Sequence, residues 1–262
     1  MKTNEHNPTL RVLNILETLA SNPEGLTLTQ ISEIINSPKS TILPIIHTMA
    51  NKKFIFFNKK TYTYTIGINS FCIGSSYTAN MNALQFIKSE MEYVVKKTDE
   101  ICQLGILEKE YVLYVAKVDS NNPIRILSSV GKRFPAYCTA LGKAMLFKHS
   151  KEELEDLYPK GLKAYTKNTI TDFNLFYNQL KEIEKTKVAI EYGETNEESS
   201  CISVPLIYNN KIIAAISVST LSFRLTPEKS QQIIKSLLDA KEKIEIFFKE
   251  HDINDSQLIL NR

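Results

Sequence analysis

Along the first fifty residues, apolar side chains recur every three or four positions in three short runs, which is the spacing of a helix with one buried face. The first run predicts a helix from about Pro8 to Ala20, and a turn follows at 22–25. Thr27, with Gln30 three residues later, has the capping-box pattern and predicts the start of a second helix. A third helix is predicted to begin in the small polar sequence at 38–41. Two short helices joined by a tight turn form a helix-turn-helix.

The hydrophobic pattern changes after residue 53 to two short strand-like runs. Apolar and aromatic residues dominate 54–57 and 62–66, and the polar turn between them contains Lys59 and Lys60. Two strands around a basic turn form a wing, which places both lysines for phosphate contact. In a helix-turn-helix the second helix enters the major groove with its N-terminal residues against base edges. The residues predicted to contact DNA are Thr27, Lys39, Ser40, Thr41, Ile45, Lys59 and Lys60.

The charge distribution favours a nucleic-acid surface in this first segment. Residues 1–75 contain seven Lys and Arg against four Glu, which accounts for the formal net charge of +3 of the whole chain. The remaining residues are neutral on balance, so the positive excess lies on the predicted DNA-binding module. The alternative is a small helical module that serves only as a protein-binding cap. The basic wing and the polar start of the third helix both favour DNA.

Beyond about residue 80 the pattern is that of an α+β domain. Apolar runs predict strands at 101–107, 111–117, 124–130, 188–191, 200–208 and 211–220, and helices at 84–98, 141–148, 151–157 and 172–186. A last long helix is predicted after Thr226, since threonine can cap it and Pro227 suits its first turn. The polar turn at 208–211 joins two adjacent strands into a hairpin, so the sheet is at least partly antiparallel.

Composition limits the class of protein. With 262 residues and 43% hydrophobic residues, the chain has room for about two domains, each with its own core. No apolar run approaches the roughly 18 residues that span a bilayer, and the polar N-terminus lacks the features of a signal peptide. A cytoplasmic location without membrane contact is therefore expected. The cysteines are scattered without a CxxC pair, which predicts reduced thiols and no metal site: Cys72, Cys102, Cys138 and Cys201.

The sequence lacks the motifs of common enzyme classes. There is no Gly-x-Ser-x-Gly elbow, no HExxH and no glycine-rich phosphate loop. The histidines are dispersed, and no motif pairs any of them with a nucleophile: His6, His47, His149 and His251. We therefore expect no enzymatic activity and no cofactor. An enzyme built on the second domain, and a sensor that binds a ligand and a partner protein without DNA, are the alternatives.

Four segments of the chain carry a family resemblance: Leu26–Ile35, Pro38–Thr41, Gly131–Leu146 and Cys201–Ser219. The last two are the most specific, with the sequences GKRFPAYCTALGKAML and CISVPLIYNNKIIAAISVS. Over almost its whole length the chain resembles the isocitrate-lyase-regulator (IclR) family of bacterial transcriptional regulators. The resemblance implies an α+β fold, in which a winged helix-turn-helix and a dimerising linker helix precede a GAF-like α/β effector-binding domain with a mostly antiparallel sheet.

The resemblance also implies a division of the chain and a function. The winged helix-turn-helix would span 1–68, the linker helix 69–82, the effector domain 83–252 and a tail 253–262. The protein would be a ligand-responsive regulator, a repressor by expectation, whose effector is a small organic acid or aromatic metabolite. A symmetric homodimer, or a dimer of dimers, would bind a roughly palindromic double-stranded operator, since symmetric proteins bind symmetric half-sites.

A position-by-position match implies an effector site on one face of the C-terminal sheet. Its members are Ile126 and Phe134 as apolar wall, Ala140 and Leu141 as backbone donors, and Glu191, Cys201, Ser217 and Ser219 as polar lining. Backbone N–H groups at a helix start favour an anion, and two serines one residue apart on a strand share a face. No lysine or arginine is among these positions. A carboxylate would therefore be held by neutral donors in an apolar cavity.

Structural roles compete with ligand contact at several of these positions. Ser217 and Ser219 have the alternative of being small residues under a helix, and Cys201 that of a packed thiol. For Glu191 the alternative is a solvated position at a strand end. The cations near the same loop are interpreted as a solvated face rather than an anion site: Lys132, Arg133 and Lys143.

Two positions depart from the family pattern. Pro44 stands where an arginine commonly follows the Ser-Thr pair, and proline inside a helix removes one backbone hydrogen bond. An altered operator preference, rather than loss of binding, is expected from this change. Glu198 stands where the family usually has glycine three residues before the cysteine, so this loop is expected to follow a different path or to carry extra negative charge.

Overall fold

The computed structural model describes residues 6–79, 82–122 and 129–253. The chain divides into two units, Met1–Asn80 and Met81–Arg262. Within the described residues, no helix has both the length and the apolar character needed to cross a membrane.

Three helices begin the N-terminal unit: α1 (Asn7–Ala20), α2 (Leu28–Ile34) and α3 (Lys39–Asn51). The capping box is confirmed, because the Thr27 hydroxyl accepts from the Gln30 N–H while the Gln30 side chain accepts from the Thr27 N–H at 2.9 Å. The apolar faces of the helices pack into one small core with the residues that follow, formed by Ile15, Leu19, Leu26, Ile31, Ile42, Ile46, Met49, Ile55 and Tyr64. The predicted helix-turn-helix is therefore present.

An antiparallel hairpin and a fourth helix complete this unit. The hairpin consists of β1 (Ile55–Asn58) and β2 (Thr63–Ile66), and Tyr64 exchanges two backbone hydrogen bonds with Leu26, which ties the hairpin to the start of α2. Helix α4 (Ile68–Ala79) follows directly. At the join, a Cβ on Gly67 would lie 2.4 Å from the Lys53 carbonyl oxygen, so only glycine permits this close approach. The predicted wing is present.

The described residues of the C-terminal unit form one six-stranded sheet in which all neighbouring strands are antiparallel. The spatial order is β5-β4-β3-β8-β7-β6. Its strands are β3 (Ile101–Glu108), β4 (Tyr111–Val118), β5 (Arg133–Pro135), β6 (Ala189–Tyr192), β7 (Ser199–Tyr208) and β8 (Lys211–Leu221).

Helices cover both faces of this sheet. Helices α5 (Asn82–Thr98) and α9 (Pro227–Glu250) pack on one face, and α6 (Ala140–Leu146), α7 (Lys151–Leu157) and α8 (Phe173–Thr186) form the layer on the other, which we call the α6 face. Strand alternation separates the two cores. In β8, for example, Ile216 packs towards α5 and α9 while its neighbour Ala215 packs on the α6 face.

Two glycines allow the start of α6 to approach its neighbours closely. A Cβ on Gly142 would lie 2.1 Å from the Ala136 carbonyl oxygen. A Cβ on Gly105 of β3 would lie 3.0 Å from Cδ1 of Leu141, so glycine in the strand leaves the space that this leucine fills. Thr139 caps the helix, because its hydroxyl accepts from the Gly142 N–H at 3.1 Å. The first turn of α6 is thereby pressed against the sheet.

Two of the predicted elements fall partly or wholly on residues outside the described ones. Residues 124–128 of the strand predicted at 124–130, Ile126 among them, lie outside the described residues. Ser129 and Val130 are described and are not in a strand. The predicted tail at 253–262 is described only at Ile253. Strand β5 was not predicted, because three residues are too few to show the alternation that marks a strand.

Candidate DNA-binding surface and effector site

Helix α3 presents its N-terminal turn to solvent. Lys39 and Ser40 are exposed, and Thr41 is half-buried. Ile45, one turn further on, packs against the core of the unit, so its side chain is only partly available. The Thr27 hydroxyl already donates to the Gln30 side chain at 2.9 Å, so its capping role limits any contact with DNA.

The proline inside α3 does not interrupt the helix. The helix runs unbroken from Lys39 to Asn51, with Pro44 in its second turn. Because proline has no N–H, the carbonyl of Ser40 lacks its usual partner four residues later. The Thr48 hydroxyl donates to the Pro44 carbonyl oxygen at 2.9 Å, which adds a side-chain bond to the next turn.

The β1–β2 hairpin holds two exposed lysines at its turn. Lys59 and Lys60 are both exposed at the hairpin turn, where the Lys60 N–H donates to Asn58 Oδ1 at 2.9 Å and fixes the turn. Below them, the rings of Phe57 and Tyr64 pack with centroids 4.7 Å apart. The ammonium groups are thus free to reach phosphates while their backbone is held in place.

A row of polar side chains crosses the α6 face of the C-terminal sheet. In the strand register, Ser219 lies opposite Cys201, which in turn lies opposite Glu191. The Ser219 hydroxyl donates to Gln103 Oε1 at 2.8 Å, and the Cys201 thiol lies 3.0 Å from the same hydroxyl oxygen. Since a hydroxyl has one proton, the thiol is the donor in the second contact. Ser217 lies beside this row and is 1% exposed.

Most residues of this row are buried, and their burial bears on the alternatives left open by the sequence. Glu191 is 1% exposed, so it is not a solvated residue at a strand end. Ser217 and Ser219 share the face covered by α6, as their spacing predicts. Cys201 is half-buried between Glu191 and Ser219 in the strand register, and burial raises its pKa well above the ordinary value.

A buried ion pair lies at the end of the row and corrects the interpretation of Lys143. This side chain was expected on a solvated face, but it is fully buried in α6 and forms a salt bridge with Glu194. The Glu194 backbone N–H donates to Glu191 Oε2 at 2.8 Å. Its carbonyl oxygen accepts from the Thr169 hydroxyl at 2.7 Å. The predicted solvated position holds only for Lys132 and Arg133, which are exposed.

One oxygen of Glu191 has no hydrogen-bond partner. Its Oε1 atom is buried and unpaired, although Oε2 accepts the Glu194 N–H. Burial raises the pKa of Glu191 to about 7, and the bond from Glu194 opposes that shift. Burial also lowers the pKa of Lys143, against the opposing effect of Glu194. The site therefore contains one neutralised ion pair and one carboxyl group that titrates near neutral pH.

Aromatic and aliphatic groups lie on the same face of the sheet as the polar row. Tyr114 and Phe134 meet edge to face with centroids 5.6 Å apart, and burial raises the pKa of the Tyr114 hydroxyl. Phe134 is partly exposed, while Ala140 and Leu141 at the start of α6 are buried. Ile126 lies outside the described residues. Sequence reasoning missed Gln103, Tyr114 and Glu194, although strand alternation places Gln103 on the face shared with Ser217.

The loop between β6 and β7 carries the extra negative charge of Glu198 on its surface. The Glu198 side chain is exposed, and the backbone carbonyl oxygen of this residue accepts from the Ser222 N–H at 2.8 Å. The same loop also contains the buried carboxylate of Glu194.

Comparison with known proteins matches both units to one family. A model described as the IclR helix-turn-helix domain matches residues 9–55, and one described as the bacterial transcriptional regulator IclR C-terminal domain matches residues 75–246. The HTH-type transcriptional regulator KdgR of Escherichia coli (strain K12) is 28% identical over 250 residues, which cover 93% of each chain.

Solved structures show the same fold. The IclR transcriptional regulator from Alicyclobacillus acidocaldarius is 24% identical with a TM-score of 0.85, over 93% of this chain and 99% of that one. An IclR homologue from Microbacterium hydrocarbonoxydans, complexed with 4-hydroxybenzoate, is 21% identical with a TM-score of 0.80, over 93% and 99% of the two chains.

Removing the buried cation should destabilise the C-terminal unit. Lys143→Met leaves the Glu194 carboxylate buried without its partner, a loss of about 3–5 kcal/mol in unfolding free energy. The double variant Lys143→Met/Glu194→Gln should recover a large part of the lost unfolding free energy, because it leaves no unpaired buried charge. Urea unfolding followed by circular dichroism measures both.

Lys185→Met is the matched control, since its salt bridge with Glu182 is exposed on both sides. It should leave the unfolding midpoint unchanged. If the double variant were as unstable as Lys143→Met, the loss would come from packing and the ion pair would have no role in it.

Proposed function

Since the chain belongs to the IclR family of bacterial transcriptional regulators, we propose that α3 and the β1–β2 wing bind operator DNA and that the α6 face of the C-terminal sheet binds a small organic effector. The proposed DNA binding is supported above all by the exposed N-terminal turn of α3. The same unit contains a hairpin with two exposed lysines. The predicted contacts are Thr27, Lys39, Ser40, Thr41, Ile45, Lys59 and Lys60. A regulator of chromosomal DNA acts in the cytoplasm, and we expect repression as its mode of action.

Loss of the wing lysines should weaken DNA binding equally on all sequences. Each phosphate contact releases counterions, so Lys59→Ala/Lys60→Ala should lower the slope of log affinity against log salt by about 2 for each protomer, or about 4 for a dimer with both wings on the DNA. Gel shifts on the upstream intergenic DNA of the gene, at several salt concentrations and with nonspecific competitor, measure this slope. Lys160→Ala/Lys185→Ala removes two exposed lysines of the C-terminal unit and should leave it unchanged.

An unchanged slope in the wing variant would exclude the wing contact. If the parent protein formed no specific complex on this DNA or on other promoters, a sensor without a DNA-binding role would be favoured instead.

We propose further that α4 pairs with a second copy of the chain. No charged residue lies between Lys60 and Lys88, although α4 in the middle of that stretch exposes large apolar side chains. Phe71 is 67% exposed, and Ile68 and Ile73 are each more than half exposed. An uncharged helix with this much apolar surface is typical of a protein interface. A twofold dimer would place two α3 helices about 34 Å apart on a roughly palindromic operator, and a dimer of dimers is the larger assembly of the same type.

A charge on α4 should dissociate this dimer. In Phe71→Glu, two carboxylates would have to be buried at or near the twofold axis, so the variant should be monomeric at micromolar concentration. Size-exclusion chromatography with light scattering gives the mass directly. Phe223→Glu changes a phenylalanine of the other unit that is 77% exposed, and it should keep the mass of the parent. A Phe71→Glu protein with the parent mass would rule out α4 as the interface.

The effector site is proposed from the buried polar row and its aromatic wall. Ala140 and Leu141 are proposed as backbone donors, Ser217, Ser219, Cys201 and Glu191 as side-chain contacts, and Phe134 as wall, with Ile126 outside the described residues. The related protein from Microbacterium hydrocarbonoxydans was crystallised with 4-hydroxybenzoate, which supports an aromatic or aliphatic carboxylate as effector. A carboxylate beside Glu191 would meet a like charge unless Glu191 is protonated. In its acid form, Glu191 can instead donate a hydrogen bond to the ligand.

Binding of a carboxylate effector should therefore tighten as the pH falls through the pKa of Glu191, which burial raises to about 7. If Glu191 takes up one proton when the effector binds, the affinity should fall by up to about tenfold for each pH unit above the pKa of Glu191. Hits from a thermal-shift screen of aliphatic and aromatic carboxylates, 4-hydroxybenzoate included, are titrated by calorimetry between pH 6 and pH 8. The neutral variant Glu191→Gln should bind with little pH dependence.

Ser217→Val should abolish the thermal shift that the same ligand produces and leave DNA binding intact. Equal pH dependence in the parent and in Glu191→Gln would show that another group takes up the proton.

A further inference from the structure

The exposed face of α3 carries an apolar patch at its centre. Ser40, Leu43, Pro44 and His47 follow the spacing of one helical stripe and are all exposed, whereas Ile42, Ile46 and Met49 are buried on the opposite side. Leu43 is 36% exposed and adjoins Pro44. Two adjoining side chains without hydrogen-bonding groups therefore occupy the middle of the surface that faces DNA.

Apart from Ser40 and His47 at the two ends of the stripe, the polar groups around this patch are few. Lys39 is the only lysine of α3, and Arg11 in α1 is the only arginine among residues 1–80. The Thr48 hydroxyl, one turn after the patch, is bonded to the Pro44 carbonyl oxygen. Arginine is the commonest partner of guanine in the major groove, and α3 has none. Lys39 is therefore the one side chain of α3 that can make the bidentate contact to guanine that arginine or lysine makes in the major groove.

The chemistry of the major groove decides which base pair such a patch fits. The C5-methyl group of thymine is the apolar group that base pairs present there, and the guanine and cytosine edges present acceptors and a donor. Burying Leu43 against a methyl group removes apolar surface of both partners from water. Against a G·C edge, the same side chain would strip water from polar groups without replacing their hydrogen bonds.

We infer that Leu43 and Pro44 contact thymine C5-methyl groups, so that the central base pairs of each operator half-site are A·T. This inference rests on the proposed role of α3 in DNA binding and adds the base preference to it. Lys39 and Ser40, at the start of the helix, then contact a phosphate or the edge of a flanking base pair.

Replacing thymine by uracil tests the inference directly, because it removes only the C5-methyl group and keeps the pairing edge. Binding sites are first selected from random duplex DNA with the full-length protein. Each thymine of the selected half-site is then replaced singly by uracil, and affinities are measured by fluorescence anisotropy. Uracil at one or two central positions should weaken binding about fourfold, which corresponds to the loss of one buried methyl group. Uracil at the other positions should leave the affinity unchanged.

Protein variants assign the methyl contact to α3. Leu43→Ala/Pro44→Ala should bind thymine and uracil sites with equal affinity at the sensitive positions. Leu13→Ala removes a leucine of α1 that is 50% exposed in the same unit, and it should keep the full discrimination.

Three results would overturn the inference. They are selection of G·C pairs at the centre of the half-site, indifference to every uracil replacement, and full discrimination in the double variant. Failure to enrich any sequence would overturn the proposed DNA-binding role together with this inference, whereas the three results above leave that role intact.

Discussion

The buried ion pair between Lys143 and Glu194 stabilises the α6 face, where the effector site is proposed, because it joins segments that are distant in the sequence. Lys143 belongs to α6, Glu194 to the loop after β6, and that loop is bonded in turn to Thr169 ahead of α8. The backbone of Glu194 also fixes one oxygen of Glu191. Charges removed from water are stable only with such partners. The network around this pair therefore reaches α6, β6 and the loop before α8, and a ligand at the proposed site would contact all three.

The two units use charge in opposite ways. The wing lysines are exposed at a tight turn, where their attraction to phosphates is long in range but screened by salt within about 10 Å. On the α6 face, Lys143, Glu191 and Glu194 are almost inaccessible to water, so salt has little influence on them, and burial raises the pKa of Glu191 to about 7. The proposed DNA contact and the proposed effector contact would therefore depend on different variables, ionic strength for the first and pH for the second, and the two dependences are separable by measurement.

Local patterns predicted the elements well where the decisive interactions are local. The capping box of Thr27 and Gln30, the wing turn and the start of α9 depend on residues within four positions of one another, and the structure confirms them. The buried state of Lys143 could not be predicted in this way, because its partner Glu194 is 51 residues away. A lysine between Gly142 and Ala144 has the same local pattern whether it faces water or a carboxylate. Glu191 is a similar case, since its burial depends on the covering layer of α6.

Pro44 illustrates how packing compensates for a missing backbone bond. An interior proline costs a helix about 3 kcal/mol when nothing relieves it. Here the carbonyl that loses its partner belongs to exposed Ser40, so water can take the place of the missing N–H. The helix is held from its other side, where Ile42, Ile46 and Met49 pack into the core. Because the buried face supplies the stability, the exposed face of α3 can change its chemistry without loss of the fold, and base preference can vary among regulators that share this architecture.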